Sequence, residues 1–289
     1  MAPHAGPLDP RFLLRRQHSP PRQPCSGAQY PHRPLNFHPL PHWSRNPHIS
    51  PPGSPILTNK AAHGVNQTIW PSAASLSFVE AAFHHACCIF PSPTIHIGRA
   101  STDWAPWESD SSLMHAGLTS GAAIERLFID RALRTLHVHG RRAAAWDTLT
   151  RAYPTPPPRT ILLAHRPGDV GRRAAEYSGA PWILADANIL TLSHPGRANS
   201  PLEPARTLSG RLIHTLRGER LKGVEAAAWS STITTPDLLF YRILPRLLVV
   251  AEAAWHGEDS LSWDKLVPLV EHEMAHLRRT VPYWNPQRP

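Results

Sequence analysis

The densest chemistry in the chain is near its end, where His272-Glu273-Met274-Ala275-His276 sets two imidazoles four residues apart with a carboxylate between them. On a helix this spacing puts both rings on one face, about one turn apart. The rings could then share one Zn²⁺ while Glu273 takes a proton from a metal-bound water, which is the chemistry of hydrolysis. A catalytic zinc needs a third protein ligand, and LRRTVPYWNPQRP after His276 holds no His, Asp, Glu or Cys. The ligand must therefore come from upstream. If the last two helices form a hairpin turning near residues 257–260, Asp237 is the nearest candidate, while His137 and His139 approach only if the fold brings them there.

The segment LVPLVEHEMAHL resembles the active-site helix of zincin metallopeptidases. That resemblance implies His272 and His276 as zinc ligands, Glu273 as general base, a Zn²⁺ cofactor, and a peptide or protein substrate. The longer metzincin pattern does not continue, because Arg279 and Pro282 stand where its glycine and third histidine would fall.

Other candidates are thinner. Gly168-Asp169-Val170-Gly171 follows an apolar run, as a phosphate cradle would, but neither GxGxxG nor GxxxxGK[ST] is present. These glycines read as turn residues. There is no GxSxG, and the three cysteines, Cys25, Cys87 and Cys88, form neither a CxxC pair nor a disulfide framework; all are expected outside the core. The arginine pairs at 141–142, 172–173 and 278–279 read as solvated charge.

Several elements must position these groups. Gly121 to Leu136 has a helical period, with Ile124, Leu127, Phe128, Leu133 and Leu136 on one side. Arg142–Tyr153 reads as a second helix, stopped by the prolines after it. TILLAH and PWILAD read as buried strands flanking a short helix, a small βαβ unit. Arg206–Arg217 and Leu221–Trp229 read as helices. Thr235 and Pro236 open a longer one, bent or interrupted at Pro245 and ended by His256 and Gly257. Asp264 is expected to cap the last helix, Lys265–Arg279, whose apolar stripe is Trp263, Leu266, Val267, Val270, Met274 and Leu277.

Composition divides the chain. Residues 1–100 hold 17 of the 33 prolines, 10 of the 19 histidines and only two acids. Their charge of +6, 8 basic minus 2 acidic, is most of the net +9. The expected architecture is an α/β or α-rich single domain over 114–289, with the βαβ unit and a C-terminal helical hairpin. A largely disordered, basic, Pro/His-rich segment precedes it over 1–113. Met114 falls near this change, so the leading part reads as a dispensable or start-site extension. Its first residues, MAPHAGPLDPRFLLRRQHSPPR, lack the apolar stretch of a secretory signal, and a cytoplasmic product is expected. Leu238 to Trp255 contains Arg242, Arg246 and Glu252, so no membrane insertion is expected.

Three readings of function follow: a zinc-dependent, peptidase-like metallohydrolase; a non-enzymatic basic regulatory or interaction protein that binds protein, or nucleic acid through its N-terminal arm; and an uncharacterised reading frame without selected activity. With arginine outnumbering lysine 27 to 3, the basic excess also fits GC-rich coding.

Overall fold

Five short runs that are mostly small or apolar become strands because each is followed or preceded by a helix that can cover one side of a sheet. In the computed structural model, which describes residues 56–61, 64–98, 102–193 and 202–280, they form one parallel sheet. Its strands, in spatial order, are β3 (Thr94–His96), β4 (Arg142–Trp146), β5 (Ile161–Ala164), β6 (Trp182–Leu184) and β7 (Leu221–Val224). Ahead of them, β1 (Ile56–Ala61) and β2 (Gly64–Ile69) pair as a separate antiparallel hairpin. The proline-rich stretch before residue 56, the basic arm included, lies outside the described residues.

The helices are α1 (Ala73–Ile89), α2 (Ala105–Glu108), α3 (Ser111–His115), α4 (Gly121–Val138), α5 (Asp169–Ser178), α6 (Leu202–Thr215), α7 (Pro236–Ile243), α8 (Arg246–His256) and α9 (Trp263–Thr280). Side-chain caps start three of them. Ser72, Ser120 and Thr235 accept the amides of Ser75, Ala123 and Leu238, each satisfying a donor that the first helical turn leaves unpaired.

The main core joins one face of the sheet to the later helices: Leu162, Trp182 and Leu184 meet Ala175 of α5, Leu208 and Leu212 of α6, Val249 of α8, and Leu266, Val270 and Met274 of α9. Fully burying such a side chain contributes about 1.5–3 kcal/mol. A second cluster packs α1 and α4 over the start of the sheet, through Val79, Phe83, Cys87, Ile95, Leu136 and Ala143. Folded structure thus begins ahead of residue 114, and Ser75–Ile97 supplies both a helix and the first strand of the sheet.

Two stretches differ from their sequence patterns. The expected helix over Arg142–Tyr153 is β4 followed by a 3₁₀ turn at Asp147–Arg151. Ala143, Ala144 and Ala145 favour helix intrinsically, but their small side chains suit a strand covered on both faces, and burial decides. Leu221–Trp229 is likewise β7 and a loop rather than a helix. The βαβ unit is present as β5, α5 and β6. Gly171 lets α5 start close to β5, because a Cβ there would stand 2.9 Å from the backbone of Arg166. Cys87 belongs to the core, contrary to expectation, with burial raising its thiol pKa, and Cys88 is in a disulfide.

Candidate functional site

A parallel sheet with helical crossovers brings every strand's carboxyl end to one edge, where ligand sites of α/β proteins gather. Each strand here ends in residues able to bind or react. His96 closes β3, Trp146 and Asp147 sit at the end of β4, His165 and Arg166 follow β5, Asp186 follows β6, and Glu225 follows β7. Beneath them, the face opposite the main core is lined by Ala144, Leu163 and Ala185, with Ile161 and Ile183 beside them.

An aromatic cluster stands on this face. Trp146 is its post, only 8% exposed, with His96 edge-on at 4.9 Å and 67° and His165 tilted against it at 4.5 Å. Trp229, half-buried, completes the group at 6.4 Å from Trp146 and 6.3 Å from His165, ring centre to ring centre. The loop carrying Trp229 is fixed from outside the sheet. Its amide donates to Ser193 Oγ at 2.5 Å, and Leu192 and Ala227 bond through their backbones. Arg242 donates to the Ser193 carbonyl at 2.6 Å and Arg246 to that of Leu192 at 3.1 Å, so two guanidinium groups hold the strand-like stretch opposite Trp229.

Of the three carboxylates at this edge, two are committed to the backbone. Asp147 is wholly buried; its Oδ1 accepts the amides of His165 at 2.7 Å and Arg166 at 3.0 Å, and its Oδ2 accepts Arg166 Nε at 2.5 Å. Asp186, also buried, accepts the amide of Asn188 at 2.7 Å and shapes the turn after β6. Glu225 is different. Desolvation raises its carboxyl above the usual range, and the neighbouring His165 imidazole opposes that rise. His96 is shifted too, with desolvation holding its imidazole down at about 4. Both side chains remain reachable by water. Both are exposed, so each shift belongs to a group at the rim of the sheet edge rather than in the core.

Chemically, this edge offers an aromatic face, two imidazoles and one carboxyl, Glu225, whose pKa is raised by desolvation. Indole faces stack on the apolar side of a pyranose, and a carboxyl with a raised pKa can protonate a leaving oxygen. Sequence reasoning missed these residues because they are scattered. The signal was available: AAAW-D, LLA-H and GV-E put a polar side chain directly after a strand, and ILA-D puts one a residue later.

The residues singled out by the HExxH pattern are placed otherwise. His272 and His276 stand exposed on α9, Glu273 half-buried between them, and Asp237 lies in the first turn of α7. The apolar stripe of α9 is as expected, with Leu266, Val270 and Met274 buried. Among the described residues, no group of three His, Cys, Asp or Glu side chains could hold a metal ion. His139 is engaged elsewhere, its Nε2 2.9 Å from His84 Nδ1 where the ends of α1 and α4 meet.

The model of the glycosyl hydrolase family 20 catalytic domain matches residues 42–258. An exo-β-N-acetylglucosaminidase from Vibrio harveyi, solved with N-acetylglucosamine, superposes with a TM-score of 0.67 at 18% identity, over 81% of this chain and 39% of that one. The β-N-acetylhexosaminidase of Streptomyces coelicolor gives 0.61 at 20% identity, over 78% and 46%. At these identities the likeness is one of fold. A β-N-acetylhexosaminidase of Cellulomonas fimi is 34% identical over 74 residues, 26% of this chain and 14% of its own length. The chain thus spans well under half the length of these relatives, apart from nearly half of the Streptomyces coelicolor protein.

These findings correct the sequence reading. The match to a glycosyl hydrolase domain replaces the zincin metallopeptidase assignment, its Zn²⁺ cofactor and its peptide substrate, and lends no support to a nucleic-acid or protein-binding regulator or to a reading frame without activity. The match ends at residue 258, ahead of α9 and its HExxH pattern. No helix among the described residues is long and apolar enough to cross a membrane. Matched by the family model over most of its length, and sharing the fold of the family's solved members there, the chain belongs to glycosyl hydrolase family 20.

Proposed function

We propose that the chain binds a terminal N-acetylhexosamine of a glycan at the carboxyl edge of its sheet and hydrolyses the β-glycosidic bond. The five strands β3 to β7 are read as consecutive strands of a β/α barrel, whose sites lie at this end. The observation that carries the proposal is the aromatic cluster of His96, Trp146, His165 and Trp229 beside Glu225, whose carboxyl holds its proton above the usual range. The similar proteins from Vibrio harveyi and Streptomyces coelicolor, named for β-N-acetylglucosaminidase and β-N-acetylhexosaminidase activity, support the substrate class.

One free carboxyl is sufficient if the substrate assists its own hydrolysis. The 2-acetamido oxygen attacks the anomeric carbon as Glu225 gives its proton to the departing glycosidic oxygen. Glu225, now a carboxylate, then takes a proton from the water that opens the cyclic intermediate, which restores the acid. Asp147 and Asp186 keep their backbone roles throughout.

The test is release of 4-nitrophenol from 4-nitrophenyl N-acetyl-β-glucosaminide by the full chain, with N-acetylglucosamine binding followed by tryptophan fluorescence. Turnover that falls in Glu225→Gln while binding persists is the expected result. A chain that neither binds the sugar nor releases nitrophenol overturns the proposal.

A further inference from the structure

We infer that His96 and His165 are locked in opposite tautomers, so that the site offers a sugar one fixed donor, His96 Nε2–H, and one fixed acceptor, His165 Nε2, on the two flanks of Trp146. The ligand assignment rests on the carbohydrate reading above; the tautomers do not.

Each ring meets a backbone partner that can play only one role. The Gly98 amide lies 3.0 Å from His96 Nδ1, and a backbone N–H only donates. Nδ1 must therefore present its lone pair, and in the neutral ring the proton is on Nε2. Neutrality is the expected state, since desolvation holds this imidazole down at about 4. At His165 the roles reverse. Its Nδ1 lies 3.1 Å from the Ala185 carbonyl, which only accepts, so Nδ1 carries the proton and Nε2 of the neutral ring is left with a lone pair.

Packing keeps both rings from exchanging these roles. Each ring rests against Trp146, at 4.9 Å for His96 and 4.5 Å for His165, and His165 also meets Trp229. The main chain of His165 is pinned as well, since Asp147 accepts its amide from a fully buried position. Turning either ring over would break a hydrogen bond to a backbone group that has no freedom to switch sign. Asp147 is thus a positioning residue for His165.

The consequence is a chemical filter. A hydroxyl can both donate and accept, so a pyranose satisfies the pair with two of its oxygens. A substituent that only accepts, such as a methoxy group or fluorine, satisfies His96 but leaves His165 Nε2 unmatched. That mismatch costs about tenfold in affinity for a single neutral hydrogen bond.

The experiment uses the full chain labelled with ¹⁵N at mildly alkaline pH. Two-bond proton–nitrogen correlations of the imidazoles are expected to show His96 protonated at Nε2 and His165 at Nδ1. The same tautomer in both rings, or rapid averaging in either, overturns the inference whatever the ligand. N-acetylglucosamine is then titrated against wild type, His165→Phe and His165→Gln. Phe keeps the ring and removes the acceptor, whereas Gln restores an accepting oxygen. The inference expects about tenfold weaker binding for Phe and recovery to within about threefold for Gln. Equal binding by wild type and His165→Phe overturns the ligand role of His165 alone. If the tautomers are as stated but wild type binds no sugar, the carbohydrate reading falls and takes the ligand assignment with it.

Discussion

The carboxyl edge of the sheet and the HExxH face of α9 both hold imidazoles and carboxylates, yet only the first brings groups from separate parts of the chain together. At the sheet edge, His96, Trp146, His165, Glu225 and Trp229 come from four strand ends and a loop, and each is held by a backbone bond or ring contact. On α9, His272, Glu273 and His276 come from one helix, and both histidines face water. A motif supplies residue types at a spacing. A site needs other elements to close around it, and the candidate one is built where four crossovers deliver five strand ends to the same edge.

Replacing the carboxyl in each region separates them most sharply. Glu225→Gln is expected to lower hydrolysis of the nitrophenyl substrate by about 10²–10⁴-fold, the usual worth of a general acid. Glu273→Gln and His272→Ala are expected to stay within about twofold of wild type in the same assay, and chelation by EDTA to change nothing. A large loss in either α9 variant would reverse the comparison.

Stability offers a second contrast. Leu162, wholly buried in the sheet, is expected to cost about 2–5 kcal/mol as Leu162→Ala, read from denaturant unfolding. The exposed His276→Ala change is expected to stay within about 0.5 kcal/mol. Between them, Asp147→Asn keeps the shape but weakens three hydrogen bonds and leaves Arg166 without its counter-charge, which is expected to cost about 1–3 kcal/mol.

The smallest effect is in pH dependence. His96 titrates near 6.5 when unfolded and at about 4 when folded. As pH falls between those values the unfolded chain takes up a proton that the folded chain refuses, so stability declines across that window and levels off below it. His96→Gln is expected to remove this part of the decline. An unchanged slope between wild type and variant would mean that the imidazole is not held neutral by its surroundings.

Much of the fold was legible. The βαβ unit could be read from TILLAH and PWILAD, the start of α7 from Thr235-Pro236, the end of α8 from Gly257, and the buried stripe of α9 from its period. The failures share a cause. Ala143–Ala145 and Leu221–Val224 are strands because neighbouring segments cover them, and a single stretch of sequence does not contain its neighbours. The candidate groups at the sheet edge went unread for the same reason. HExxH is contiguous and therefore visible, whereas the pairing of His165 with Trp146 depends on the register of β4 and β5, Trp146 opposite Leu163, which only the folded sheet sets.

The most direct test of where the site lies is a chemical-shift map of the full chain titrated with N-acetylglucosamine, following indole and imidazole signals. The expected result is saturable movement of Trp146, Trp229, His96 and His165, with His272 and His276 unmoved. Movement confined to His272 and His276, or none at the sheet edge up to saturating sugar, would contradict it.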